Sequence, residues 1–202
     1  MKYAGLRCGE APRTMILLDP DLDSDAGPRA SNSKRASSTH PAPTERLSRV
    51  PSARALSRFL GEAQSAVRLT GQVCVLLTTD RNIRRLNRQF RGKDKATDVL
   101  SFPAEALVQK KERLAGDLAI SVPTALRQAR EQEHALAVEL KVLILHGLLH
   151  LAGFDHERDS GEMARRERKL RGNLGLPQGL IERSAIPTLE RTSKSKKRSR
   201  PA

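Results

Sequence analysis

Three of the five histidines in this 202-residue chain fall within eleven consecutive positions, in the run His146-Gly-Leu-Leu-His150-Leu-Ala-Gly153-Phe-Asp155-His156. Residues four apart on an α-helix share one face, about 6 Å apart along the axis, so His146 and His150 predict a helix whose two imidazoles converge. Gly153 favours the end of that helix, because glycine readily adopts the backbone conformation that a tight turn needs. The turn would then return His156 to the pair.

This histidine pattern indicates a particular kind of metal site. Three imidazoles with a fourth position left for water are typical of catalytic zinc, whereas structural zinc is usually closed by four protein ligands, often cysteines. His146, His150 and His156 are therefore the predicted metal ligands, and the ion they hold is predicted to activate a water. Zinc proteases of the H-E-x-x-H type carry a glutamate general base after the first histidine, but this chain has Gly147 there, which disfavours peptidase chemistry.

The charge balance favours a polyanionic partner. The chain has a net charge of +14 and a pI near 10.7, and Lys and Arg release counterions when they neutralise phosphates, so nucleic acid is favoured over a membrane surface. Residues 191–202 carry six Lys or Arg and no acid, which leaves +8 on the rest of the chain. The basic character is thus not confined to the end of the chain.

The cysteine pattern and the hydropathy favour a cytoplasmic location. Cys8 and Cys74 lie far apart and neither belongs to a C-x-x-C pair, which argues against disulfides or a cysteine zinc site. The N-terminus lacks the layout of a signal peptide. The most apolar stretch, residues 136–152, contains charged residues and is too short to span a bilayer. We therefore expect a soluble cytoplasmic protein with no membrane partner.

Composition divides the chain into segments of different character. Residues 20–48 are rich in Asp, Ser, Pro, Arg and Ala and have almost no large apolar side chains, which is typical of disorder. We predict a weakly ordered N-terminal extension at 1–13, the first strand of the catalytic domain at 14–19, a disordered insertion at 20–48, a metal-dependent catalytic domain at 49–182 and a basic disordered tail at 183–202.

Apolar periodicity predicts helices and strands that are interspersed along the main domain. Strands are expected at 72–78, 97–102 and 116–121, and helices at 51–67, 80–90, 123–133, 135–152 and 159–170. Asp80 is expected to cap its helix, in which Ile83, Leu86 and Phe90 form the core face. The predicted fold is α+β, a small mixed sheet of about four strands covered by helices, with the metal site on a central helix and the following turn.

Several sequence blocks, in order, resemble the YbeY family of bacterial endoribonucleases, which act in ribosomal RNA maturation. They are the histidine run, the run Leu86-Asn87-Arg-Gln-Phe90-Arg91-Gly-Lys-Asp-Lys-Ala-Thr97-Asp98-Val-Leu-Ser101-Phe102-Pro103, and the pair Gly116-Asp117. Glu167, four residues after Met163, fits the C-terminal helix of the family. The resemblance covers about residues 50–175, with a first strand at 15–19.

The resemblance assigns roles to individual residues. It implies that His146, His150 and His156 hold one zinc ion and that Arg91 faces the metal cavity, where its planar charged fork would stabilise a phosphodiester as the bond breaks. The residues alone would equally make Arg91 a solvated loop cation. Asp98 and Asp117 are either carboxylates that orient an imidazole or ordinary strand-end and turn residues.

The function implied is a zinc-dependent endoribonuclease that prefers single strands, matures the 3′ end of small-subunit rRNA and takes part in ribosome quality control. The implied partners are rRNA and the small ribosomal subunit, with a ribosomal protein or an Era-like GTPase as further candidates. Two alternatives stay open: a ribosome-assembly factor whose metal supports the fold, and a metallohydrolase of another substrate, such as a peptide. Because the chain has four Phe, one Tyr and no Trp, we expect RNA binding to be mostly electrostatic.

Overall fold

The structure is a computed structural model that describes residues 15–22, 50–105 and 113–177. The predicted extension at 1–13, the predicted insertion beyond residue 22 and the predicted tail at 183–202 lie outside these ranges. Within them the elements are β1 (Met15–Leu18), α1 (Ala53–Val67), β2 (Gln72–Thr78), α2 (Asp80–Arg91), β3 (Val99–Pro103), β4 (Leu114–Ser121), α3 (Val122–Glu131), α4 (Leu136–Leu151) and α5 (Glu162–Asn173).

The four strands form one mixed sheet in the order β1-β2-β4-β3. β1, β2 and β4 are mutually parallel, and β3 pairs antiparallel with β4 at one edge. Each parallel connection contains a helix, as a crossover between parallel strands requires. The predicted α+β fold with a small mixed sheet covered by helices is confirmed.

The larger core lies between one face of the sheet and the helices α1 and α4. On α1, the apolar residues recur at helical spacing and are all buried: Leu56, Phe59, Leu60, Ala63 and Val67. α4 is apolar on nearly every side and is buried around most of its circumference, as is typical of a helix in the centre of a domain. The helix that carries His146 and His150 is therefore enclosed by the rest of the domain.

Two glycines let α4 approach the sheet closely. A Cβ atom on Gly147 would lie 2.7 Å from Cδ2 of Leu118, and one on Gly116 would lie 2.8 Å from Cδ2 of Leu151. Both distances are shorter than van der Waals contact, so larger residues would push the helix off β4. On the adjacent edge strand, Ser101 Oγ donates to the Gly147 carbonyl oxygen at 3.5 Å. This close approach sets the position of His146 relative to the sheet.

α2 covers part of the opposite face of the sheet. Ile83 and Leu86 are buried there and form a smaller core with Leu100 and Ala119. The expectation that Phe90 belongs to this face was wrong, because its side chain is 53% exposed. It lies in the last turn of α2, and its ring makes a T-shaped contact with the ring of Phe102, with centroids 5.2 Å apart.

The N-terminus of α2 also differs from the prediction. Thr79, not Asp80, is the N-cap, and its side chain accepts a hydrogen bond from the Asn82 amide at 3.3 Å. Asp80 lies one residue inside the helix and accepts hydrogen bonds from the hydroxyls of Ser121 and Thr124. Asp80 therefore ties α2 to the end of β4 and the start of α3.

Within the described ranges, no single helix has both the length and the apolarity to cross a membrane. One pair, Val122–Glu131 with Leu136–Leu151, meets those criteria jointly but is bent by 112°.

Candidate metal centre

The turn after α4 has the geometry that brings a third histidine back to the helix. The Phe154 amide donates to the Leu149 carbonyl at 3.1 Å and the Gly153 amide donates to the His150 carbonyl at 3.0 Å. This is a Schellman motif, in which the residue after the C-cap has a positive φ, and Gly153 has a φ of 91°. The chain therefore reverses directly after the helix, and His156 follows three residues later.

The three predicted ligands converge. One potential ligand atom from each of His146, His150 and His156 lies within 4.8 Å of the other two. The Nε2 atoms of His146 and His150 are 3.1 Å apart. Imidazole nitrogens bound at about 2.0–2.1 Å to a tetrahedral zinc ion lie roughly 3.3 Å from one another. The pair on α4 thus has nearly the separation that one tetrahedral ion requires.

Glu167 holds the first histidine in one orientation. Its Oε2 lies 3.2 Å from Nδ1 of His146, and both side chains are buried. A carboxylate at Nδ1 favours the tautomer that carries its proton there, which leaves the lone pair of Nε2 directed into the cluster. The contact therefore sets both the ring orientation and the protonation pattern that a metal ligand needs.

A buried arginine supports Glu167 in turn. Arg171 is 1% exposed, and its Nε donates to Glu167 Oε1 at 2.9 Å, with a second bond from Nη2 to the same oxygen. Its Nη1 donates to the Pro177 carbonyl at 2.9 Å. Both residues lie on α5, one turn apart. These hydrogen bonds form a continuous chain from Pro177 through Arg171 and Glu167 to His146.

The ionisation states also suit metal ligation. Burial, together with the neighbouring rings of His146 and His156, lowers the pKa of His150 to about 4, so this ring is neutral at physiological pH. Burial raises the pKa of Glu167, but its hydrogen bond with His146, together with the charge and hydrogen bonds of Arg171, outweighs burial, and the net shift is downward. Glu167 is therefore an ionised acceptor.

A buried nitrogen in the cluster supports the same assignment. Nδ1 of His156 is buried and has no hydrogen-bond partner among the described residues. Buried polar atoms are nearly always satisfied, so an unpartnered one indicates a missing ligand or water. Three imidazoles form the donor set that divalent transition metals prefer, and these residues fit a metal ion.

The other charged residues of the sequence blocks quoted above lie at a helix end, before a strand, on a strand and in the turn after α4. Arg91 is the exposed last residue of α2. Asp98 accepts hydrogen bonds from the Val99 amide and from Gln128 Nε2, so it caps the start of β3 and does not orient a histidine. Asp117 is exposed on β4 in register with Phe102. Asp155 organises the turn, because its carboxylate accepts from the Glu157 amide at 3.0 Å.

Sequence reasoning missed the roles of Glu167 and Arg171, although one signal for the first was present. Glu167 lies between Met163 and Leu170 at the spacing of a buried helical face, where a charged residue is unusual unless it is paired. Arg171 follows Glu167 by four residues, the spacing of an ion pair on a helix. That the pair reaches His146 could not be read from this spacing.

A family model supports the sequence resemblance. The model described as Endoribonuclease YbeY matches residues 38–175, which is more than half of the chain and includes all three histidines, Arg91 and Glu167. The chain belongs to the YbeY family.

Individual relatives agree with this membership. A protein of Koribacter versatilis named Endoribonuclease YbeY is 53% identical over 147 residues, which are 73% of this chain and 93% of the relative. A protein of Solibacter usitatus with the same name is 50% identical over 129 residues, 64% of this chain and 84% of that protein. A solution structure from Thermotoga maritima has 31% identity and a TM-score of 0.45, and covers 62% of this chain and 85% of its own.

The packing of this YbeY family member explains why glycine follows the first histidine. Gly147 faces Leu118 on β4, where even a methyl group would lie 2.7 Å from a side-chain carbon. A glutamate at this position would have to displace the sheet. The general base of the zinc proteases is therefore incompatible with the way α4 packs in this fold.

Proposed function

We propose that this protein is a zinc-dependent endoribonuclease that cleaves single-stranded regions of ribosomal RNA. The observation that carries the proposal is the convergence of three imidazoles in a chain of the YbeY family. The relatives named Endoribonuclease YbeY support the reaction class. Zinc is proposed because the ligand set is all imidazole and no thiolate or carboxylate ligand accompanies it among the described residues.

His146, His150 and His156 would hold the ion, which when bound supplies Lewis-acid stabilisation of the phosphoryl group and activation of a water. His150 contributes a ring that stays neutral down to about pH 4. Glu167 keeps the proton of His146 on Nδ1, and Arg171 keeps Glu167 ionised and in place. These residues hold the nitrogen lone pairs ready for binding, so little rearrangement accompanies it.

Arg91 is proposed to stabilise the charge that develops on the phosphodiester. The guanidinium is always protonated and presents donors in a plane that matches two phosphate oxygens. Arg91 is exposed at the end of α2, so it is accessible to a polymeric substrate. We expect Arg91→Ala to lose cleavage while it keeps bound metal, and Arg91→Lys to recover only part of the activity.

We further propose that the substrate is the 3′ region of small-subunit rRNA and that the protein acts on the small ribosomal subunit in maturation and quality control. The net charge of +14 supports a polyanionic substrate. A ribosomal protein or an Era-like GTPase would be a further partner in this setting.

The decisive experiment measures bound metal and RNA cleavage on the same preparation. Metal content would be quantified, and a labelled rRNA 3′ fragment would be incubated with the protein, with and without a chelator. We expect about one zinc ion per chain and cleavage that the chelator abolishes. Cleavage that continues in the metal-free protein would overturn the proposal.

His150→Ala separates an enzymatic metal from a structural one. A folded variant that no longer cleaves RNA supports the enzyme, whereas joint loss of metal and fold supports an assembly factor with a structural ion. His134→Gln is the matched control, because His134 lies outside the cluster and a glutamine amide can still donate to the buried Glu139 that the ring contacts. It should keep both metal and cleavage.

A further inference from the structure

Phe90 is an exposed aromatic residue in a protein that has few aromatic residues. Its side chain is 53% exposed, although its neighbours on the same helix face, Ile83 and Leu86, are buried. The ring is held in place by a T-shaped contact with the ring of Phe102, with an interplanar angle of 69°. A positioned aromatic ring is therefore partly open to solvent.

The chain directly after Phe90 carries three cations. Arg91, Lys93 and Lys95 are all exposed. Asn87 holds the loop against the end of α2, since its carbonyl accepts from the Lys93 amide at 3.3 Å and its Nδ2 donates to the Lys95 carbonyl at 2.7 Å. The three cations are thus held at the same end of the helix as the exposed ring.

The acid within this loop is already neutralised. Asp94 receives two hydrogen bonds from Arg84, at 2.9 Å from Nε and 2.7 Å from Nη2. Arg84 lies on α2, so this bidentate pair also anchors the loop. The positive charges of Arg91, Lys93 and Lys95 are therefore left available for an external anion.

β3 connects this surface with the metal centre. Ser101 on this edge strand faces α4, where its hydroxyl donates to Gly147 beside His146. The next residue, Phe102, faces the other side of the sheet and contacts Phe90. Neighbouring residues of this edge strand therefore face the two sites, and a nucleic acid strand that passes around the sheet edge could contact both.

We propose that Phe90 forms a nucleobase-stacking subsite for single-stranded RNA, with Arg91, Lys93 and Lys95 holding the adjoining phosphates. An exposed aromatic ring beside a basic groove is the usual arrangement of single-strand binding, because every base presents a π-face. The subsite rests on the part of the proposed function that makes single-stranded RNA the molecule this protein binds. It assigns this chain a stacking contact in addition to the electrostatic ones.

The test compares Phe90→Ala with wild type by fluorescence anisotropy of a labelled 12-nucleotide single-stranded RNA in EDTA, so that binding is measured without cleavage. Removal of one stacking interaction is expected to weaken binding by about 5- to 150-fold, and Phe90→Trp is expected to restore it. Leu18→Ala is the matched control, because Leu18 is 57% exposed on β1, at the opposite edge of the sheet. It should bind RNA like wild type.

A series of abasic RNAs tests for stacking itself. Removal of one particular base should weaken wild-type binding but have no further effect on Phe90→Ala. Wild-type affinity in Phe90→Ala, an equal loss at every abasic position, or no RNA binding by wild type would each overturn the subsite. Thermal unfolding shows whether the alanine variant is folded; if it is not, Phe90→Leu takes its place.

The cleavage assay with metal is scored separately. Wild type that binds RNA through Phe90 but does not cleave it would leave the subsite standing and overturn the nuclease. Wild type that cleaves while Phe90→Ala binds normally would overturn the subsite alone.

Discussion

Glu167 shows how much of a candidate metal centre is decided by residues other than its three histidines. It contacts Nδ1 of His146 at 3.2 Å and is held by Arg171, a buried cation that would be costly without a partner. The two charges neutralise one another and leave one carboxylate oxygen for the imidazole. The same ion pair therefore balances two buried charges and orients the imidazole of His146.

We predict that Glu167→Gln weakens zinc binding by about 10- to 100-fold, the usual cost of losing a carboxylate that orients a ligating histidine. The measurement is competition for zinc with a chelating dye at neutral pH, with circular dichroism to check the fold. Glu162→Gln on the same helix is the control, because Glu162 is exposed. Equal zinc affinity in the two variants would show that Glu167 is only structural.

At the scale of elements, the ranges of helices that contribute many apolar residues to the core were predicted well, and the roles of single residues less well. The predicted ranges 135–152 and 51–67 became α4 at Leu136–Leu151 and α1 at Ala53–Val67. Two residues were given the wrong role because their type suits a helix cap or a core position. The neighbouring elements decide which role such a residue has. Asp80 accepts hydrogen bonds from residues of β4 and α3 instead of capping α2, and Phe90 contacts Phe102 of β3 but remains 53% exposed.

The packing of α4 on β4 predicts opposite effects for two substitutions of glycine in helices. Gly147→Ala should destabilise the protein by about 1–3 kcal/mol, because the added methyl overlaps Leu118 in a filled core. Gly61→Ala should stabilise it by about 0.5–1 kcal/mol, because Gly61 lies within α1 with nothing within 4 Å of an added Cβ. Urea unfolding measures both. A stabilised Gly147→Ala would contradict the close approach of α4 to the sheet.

The contacts of Asp80 predict a pH dependence of stability. Burial raises its pKa, but hydrogen bonds from Ser121, Thr124 and Arg127 outweigh burial and bring the pKa below its usual value of 3.8. A lowered pKa in the folded state means that the carboxylate stabilises the fold above about pH 4. This stabilisation is lost as the pH falls through the folded-state pKa.

Asp80→Asn should therefore lower the melting temperature at pH 7, and the difference from wild type should shrink as the pH falls below 3.8. Calorimetric scans between about pH 7 and about pH 2.5 measure it. Asp94→Asn, which removes an exposed ion pair with Arg84, should change the melting temperature little. A constant difference at all pH values would show that the asparagine acts by its shape and not by its charge.

For the whole molecule, positive charge is the property most relevant to RNA. The net charge is +14, of which residues 183–202 contribute +6 from seven cations and one acid. The remaining +8 includes the cationic loop after α2. Both regions should release counterions on binding, so the affinity for RNA should fall steeply with salt.

We predict that truncation after residue 182 lowers the salt dependence of RNA binding without abolishing it. The log–log slope falls by about 0.7 for each single-strand phosphate that the protein no longer neutralises, so a net charge of six sets an upper limit of about 4. Anisotropy titrations between about 50 and about 300 mM KCl measure the slope of both proteins. Complete loss of binding would show that the tail alone carries the affinity.

The sequence by itself determined the helix–turn pattern of the three histidines, the α+β order of the elements and the family. All three depend on the order and spacing of residues along the chain. For the histidines, the helical repeat places His146 and His150 on one face, and the backbone freedom of Gly153 allows the turn that returns His156. Only the tertiary structure decided that Glu167 reaches His146, that Gly147 must be small, and that Phe90 is exposed. Each of these depends on which element packs beside the residue, and the neighbouring sequence does not show which element that is.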